Sequence, residues 1–167
     1  KVKENREMSK DEGARKLAKT PALFRDTNNP ETAILVPRVS SERRNYIPLG
    51  FIDKNTIVND RVQLIPNAEI YHFGILTSLM HMAWMRYTCM RLKSDYSYSK
   101  DIVYNNFPWP SPSEKQKTDI EEAAQSVLNT RTKYPDSSLA DLYDPDLMPP
   151  DLVKAHNKLD RLVEKAY

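Results

Sequence analysis

YHFGILTSLMHMAWMRYTCMRLKSDYSYSKDIVYNNFPWP, residues 71–110, decides the reading of the chain. From Gly74 onward Ile75, Leu76, Leu79, Met80, Ala83, Trp84, Tyr87, Met90 and Leu92 recur at three- and four-residue spacing. That period predicts one helix with a broad apolar face over 74–92, about 27 Å long at 1.5 Å per residue. After Leu92 the composition changes to Lys, Ser, Asp and Tyr with no core period, so 93–100 is expected as a polar, aromatic-bearing loop. Residues 101–110 close the stretch in an aromatic and proline-rich junction, Phe107-Pro108-Trp109-Pro110. Tyr71, Trp84, Phe107 and Trp109 are expected in the core, with base stacking as the less favoured use.

Upstream, short apolar runs at 32–37 (TAILVP), 45–53 (NYIPLGFID), 61–65 (RVQLI) and 69–73 are separated by Asn, Asp and Pro, the pattern of a small antiparallel sheet. Pro48 marks the second run as an edge or bulged strand. Residues 1–20 are helix-forming but poor in apolar positions, a solvated lead-in that ends at Pro21 and at the turn-prone Asp26-Thr27-Asn28-Asn29-Pro30. Downstream, Ser113 with Gln116 forms a capping box for a helix to about Thr130. A short helical turn is expected at 139–143. Pro149-Pro150 then opens a last helix whose Leu152, Val153, Leu159, Leu162, Val163 and Ala166 share a face. The expected fold class is α+β, a small antiparallel sheet packed on a long apolar helix and followed by a helical C-terminal appendage.

The 167 residues suffice for a real core, and 40% hydrophobic residues with nine Tyr and two Trp exclude wholesale disorder. No run approaches the ~18 apolar residues of a spanning helix, and no signal peptide is recognisable, so a cytoplasmic location without membrane contact is expected. Cys89, the single cysteine, lies within the apolar run and is expected as a buried free thiol. His72 and His81 lack partners at metal-ligand spacing and are expected to be structural. Net charge is +2, but residues 1–110 hold 17 Lys/Arg against 12 Asp/Glu while 111–167 hold 8 against 11. The basic first part suits an anionic partner. The start at Lys1 without Met suggests a piece of a longer polypeptide.

Four blocks together, SSERRNYIPLGFI (40–52), IPNAEIYHFGILTSLMHMAWMR (65–86), CMRLKSDYSYSKDIVYNNFPWP (89–110) and LADLYDPDLMPPDLVKAHNKLDRLVEKAY (139–167), resemble the C-terminal part of MmeI-like type II restriction-modification enzymes. Those are single chains combining a nuclease, an adenine-N6 DNA methyltransferase and a target recognition domain. The resemblance implies a lead-in at 1–32, the distal part of a target recognition domain at 33–110 and a helical C-terminal element at 111–167. It implies double-stranded DNA and the upstream methyltransferase and nuclease domains of the same polypeptide as partners. S-adenosylmethionine and Mg²⁺ would serve the parent protein, with no cofactor in this part.

The residues agree that no catalytic site lies here. There is no Gly-rich loop, no Asp/Asn-Pro-Pro-aromatic tetrapeptide and no spaced Asp with Glu-x-Lys for Mg²⁺. Asn105-Asn106-Phe107-Pro108-Trp109 has its aromatic and proline in the wrong order for that tetrapeptide.

In the resembled family the position of RLKSDY (91–96) is where residues reading one base pair beside the methylated adenine are expected. The chemistry of Lys93 and Asp95 suits this. Lys donates to guanine O6 and N7, Asp accepts from the cytosine N4 amine, and each good contact discriminates by ~1–3 kcal/mol. The bland alternative is a solvated Lys93–Asp95 ion pair worth about 0–1 kcal/mol. Arg43, Arg44, Arg91 and Lys100, with the hydroxyls of Tyr96, Ser97, Tyr98 and Ser99, are candidates for phosphate contacts that set register. Arg43 and Arg44 could instead brace the sheet. The rival function is a structural or interaction module that holds the catalytic domains together without reading bases; an independent enzyme lacks any motif.

Overall fold

The computed structural model describes residues 1–23 and 30–167. The Asp26–Asn29 part of the expected turn lies outside the described residues. The lead-in forms two short helices, α1 (Val2–Glu7) and α2 (Glu12–Lys16), with no buried residue in either.

Two three-stranded antiparallel sheets follow, where one was expected. The first has the order β3-β1-β4, from β1 (Thr32–Pro37), β3 (Gly50–Asp53) and β4 (Val62–Pro66). Its centre is β1, whose Ile34 pairs with Phe51 on one side and Ile65 on the other. The 45–53 run is a strand only from Gly50; Pro48 precedes the strand, and Tyr46, Ile47 and Leu49 are buried outside it. The chain then passes through Arg38 from β1 into β2 (Val39–Ser40), the first strand of the second sheet. Arg38 sits at the crossing: its N–H donates to Arg61 O at 3.0 Å and its carbonyl accepts from Tyr98 N–H at 2.8 Å. One residue therefore joins the backbones of both sheets.

The expected 74–92 helix is two helices and a strand. α3 (Ile70–Leu76) begins where a β-run was expected, and α4 (Leu79–Thr88) follows after a break at Thr77-Ser78. Ser78 makes the break: its hydroxyl donates to Ile75 O at 2.7 Å and accepts from His81 N–H at 3.4 Å, so it ends one helix and caps the next. The break shifts the phase of the apolar stripe. His81, Met82 and Met85 are buried, whereas Leu79 and Tyr87 of the expected face are 40% and 94% exposed. After Thr88 the chain extends into β5 (Met90–Leu92) and returns as β6 (Asp95–Ser97), completing the second sheet in the order β2-β6-β5. Cys89 is a free thiol but only partly buried.

A π-helical turn, Lys100–Tyr104, leads into the aromatic junction. There the Phe107 ring stands edge-on to His81 at 4.6 Å and to Trp109 at 5.4 Å, and the Trp84 indole N–H donates to Val103 O at 2.9 Å. Tyr71 and Phe107 are buried and Trp84 and Trp109 partly so, all packed in the core as expected. His72 is structural, its Nδ1 accepting from Glu69 N–H at the start of α3.

The C-terminal helices are α5 (Glu114–Arg131), α6 (Leu139–Leu142) and α7 (Pro150–Glu164). The Ser113–Gln116 capping box is formed. Gly74 of α3 meets α5 so closely that an added Cβ would lie 3.0 Å from Ile120 Cγ2 and 3.1 Å from Ala124 Cβ. On α7, Leu152, Leu159 and Val163 are buried, while Val153 is 36% exposed and Ala155 and His156 take part in its buried face. One hydrophobic cluster runs from Ile34 on β1 to Val163 on α7.

A buried polar network crosses the same junction. Arg131 donates to Leu49 O at 2.6 Å and to the Tyr143 hydroxyl, and its guanidinium lies over the Phe73 and Tyr143 rings. Tyr143 OH meets His156 Nε2 at 2.7 Å, and the His156 ring stacks on Tyr46 at 4.0 Å. Tyr46 OH donates to Asp160, whose second oxygen accepts from Leu79 N–H at 2.8 Å, so a carboxylate on α7 caps α4. Burial raises the Asp160 pKa, while the hydrogen bonds from Leu79 and Tyr46 oppose that shift.

Candidate nucleic-acid interface

The second sheet ends in a hairpin at the surface. Leu92 pairs with Asp95, leaving Lys93-Ser94 as a two-residue turn. Lys93 has φ +57°, the left-handed region that the first central residue of such a turn often needs and that glycine usually supplies. A side chain there costs on the order of 1–2 kcal/mol. The conformation is held from both sides by the β5–β6 ladder and by Arg91, whose Nη1 donates to Ser94 O at 2.9 Å.

Alternation sorts the hairpin into two faces. Tyr96, paired with Ser40 and Arg91, points inward and is 5% exposed; Met90, Leu92, Asp95 and Ser97 occupy the outer face. Met90 and Leu92 are each 56% exposed. Tyr98 is likewise buried, its hydroxyl 3.1 Å from His81 Nε2 deep in the molecule. Burial holds the His81 imidazole neutral, its pKa lowered to about 3. The Tyr98 hydroxyl is thus an interior group and the Tyr96 residue is buried as a whole, while the two serines are partly exposed.

Lys93 and Asp95 are not an ion pair. Among the described residues the Lys93 ammonium has no hydrogen-bond or ion-pair partner, and Asp95 accepts only a long bond, 3.4 Å, from Glu42 N–H. A free donor and a largely free acceptor therefore stand two residues apart at a solvent-facing tip. The Glu42 contact also places the 41–44 turn beside the hairpin. From that turn Arg43 reaches Asp146, and Arg44 donates to Ala140 O at 3.4 Å. Both arginines tie to the C-terminal helical part instead of bracing the sheet. Arg91 stacks on Tyr96, its guanidinium 4.2 Å from the ring centre.

Beside the hairpin runs a groove of about 700 Å³, bounded by Arg38, Gln63, Met90, Ser99, Lys100 and Asn105 among others. Ser97, Tyr98, Ser99 and Lys100 all line it, so four of the candidate phosphate ligands border one channel, although the Tyr98 hydroxyl itself is turned to His81.

Among the described residues no three His, Cys, Asp or Glu side chains gather as a metal site. The three glycines, Gly13, Gly50 and Gly74, are scattered along the chain, and none has positive φ. Among the described residues no helix is long and apolar enough to cross a membrane.

Residues 1–111 match the MmeI target recognition domain and residues 112–167 the MmeI C-terminal domain. The chain belongs to the MmeI family. It is 48% identical over 166 residues to DNA methyltransferase A of Bacillus subtilis (strain 168), covering 99% of this chain and 19% of that protein. Its fold superposes with a TM-score of 0.93 on the type IIL restriction-modification enzyme MmeI, solved in complex with DNA, at 47% identity. That match covers 99% of this MmeI-like chain and 22% of the solved one. The chain thus spans about a fifth of the length of each relative.

Proposed function

We propose that this MmeI-like chain reads part of a duplex DNA sequence on behalf of a larger restriction-modification protein. The observation that carries the reading is the hairpin tip, where an ammonium with no partner among the described residues and a carboxylate with one long contact are held out on a costly backbone conformation. Strained backbone at an exposed turn marks a place where function outweighs local stability. Lys93 would donate to guanine O6 and N7 in the major groove and Asp95 accept from the N4 amine of the paired cytosine. Lys100, Ser97 and Ser99 along the groove, with Arg43 and Arg44 released from their surface partners, would hold phosphates and set register without sequence information.

The DNA in the MmeI structure and the methyltransferase activity named for the Bacillus relative support DNA as the partner. Methyl transfer to an adenine flipped from the duplex, and cleavage nearby, would belong to other domains of the full-length protein, with S-adenosylmethionine and Mg²⁺ bound there. A scaffolding reading is favoured by the exposed Tyr87, Met90 and Leu92 and by the engagement of Arg43 and Arg44 with the helical part.

The adenine methylation pattern left on genomic DNA by the full-length protein separates the two. With Lys93→Glu plus Asp95→Arg, one position of the methylated motif should switch from G to C while methylation stays efficient. An unchanged motif would show that these residues do not read the pair and that the hairpin is structural.

A further inference from the structure

The cation nearest the turn, Arg91, has a geometry that a phosphate ligand does not need. Its guanidinium is 4.2 Å from the centre of the buried Tyr96 ring, and the same group donates to Ser94 O at 2.9 Å across the two-residue turn. Tyr96 is anchored in turn, packed in the hydrophobic core and paired with Ser40 on β2. Arg91 therefore links a fixed core ring to the backbone of the turn that carries Lys93 at φ +57°. A planar fork can stack and donate at once, which a lysine ammonium cannot do.

We infer that Arg91 is a positioning residue, one that holds the Lys93-Ser94 turn in its left-handed form and so aims Lys93 and Asp95 at their base pair. The inference rests on the base-reading proposal above. Without Arg91 the turn relaxes, the lysine samples several directions, and the wrong base pair is rejected less well. Arg91 itself then touches no base and needs no phosphate.

The test uses the full-length protein and two duplexes, one with the motif that the wild type methylates and one with the single pair assigned to Lys93 and Asp95 changed. Discrimination is the ratio of kcat/KM for methyl transfer to the two. Lys93→Ala, Arg91→Lys, Arg91→Gln and the double variant Lys93→Ala/Arg91→Gln are compared, with thermal midpoints as a check on folding. Arg91→Lys and Arg91→Gln should both lower discrimination about tenfold, within the range of one lost base contact. In the Lys93→Ala background Arg91→Gln should lower it no further, because the group it positions is gone.

Wild-type discrimination by Arg91→Lys, beside uniformly weaker methylation of all sequences by Arg91→Gln, would make Arg91 a phosphate contact and overturn the inference alone. Normal discrimination by Lys93→Ala would overturn the base-reading proposal and this inference together. Were Arg91→Gln to fold poorly, the charge-preserving Arg91→Lys still decides, since a phosphate role tolerates it and a stacked positioning role does not.

Discussion

Lys93 combines an unfavourable backbone with a side chain that nothing in the described residues satisfies. Lys93→Gly should accordingly raise stability by up to about 1 kcal/mol, read as a higher urea midpoint, while relaxing the methylated motif at one position. A loss of stability instead would mean that the lysine stem packs productively on the turn. Lys93 and Asp95 could be named as candidates from the order of their donor and acceptor chemistry together with the family resemblance, but the hairpin beneath them could not be read the same way. Met90 and Leu92 fit the helix period as well as a strand period, and the turn lacks the Asn-Gly or Gly-x pair that announces a two-residue connection. One signal was present in Tyr96-Ser97-Tyr98-Ser99: strict alternation, with the tyrosines buried and the serines at the surface. Read as a strand, it would have turned both tyrosines inward and taken the Tyr98 hydroxyl off the surface.

Among the elements, the α3–α4 break shows how one buried hydroxyl overrides periodicity. Ser78 binds the Ile75 carbonyl and the His81 N–H in place of regular helical hydrogen bonds, and it is fully buried beside Thr77, so the break is a built-in corner of the core. The strand at 32–37 and the capped helices after Ser113 and Pro149 were legible because cap and turn chemistry act locally. The second sheet was not, since β2 is two residues long and is recognised only through its partner across the chain. Contact between α3 and α5 depends on Gly74. Gly74→Ala should be close to neutral, because helix propensity gains about 1 kcal/mol while the crowding of Ile120 and Ala124 costs a similar amount. Gly74→Val should lose about 2 kcal/mol or more in denaturant unfolding, as two further methyl groups meet the same wall. Equal midpoints for all three would mean that α5 moves aside freely.

Across the whole molecule, two buried histidines couple folding to pH. Burial lowers the pKa of His81 and of His156 to about 3, with the Arg131 charge adding to the effect at His156. Both folded values lie below the unfolded value near 6.5, so the unfolded chain binds more protons in the window between. This contribution is complete above about pH 6.5 and falls as pH drops toward 3. Each histidine should cost about 2 kcal/mol by pH 5. Asp160, its pKa raised by burial, works in the opposite direction and offsets part of the loss. Chemical denaturation of the chain at pH 7.5 and pH 5 checks the sum, and no decrease in stability would show that both imidazoles stay accessible to protons. His156 belongs to the network that joins Tyr46 and Leu49 near the sheets to Arg131 and Tyr143 in the helical part, so acid should loosen the two parts together. The hairpin tip stands apart from this. Lys93 is solvent-facing and absent from the hydrophobic cluster that fixes the rest of the chain. Substitutions at this position should therefore carry little penalty to folding, which leaves the tip free to vary on an unchanged scaffold.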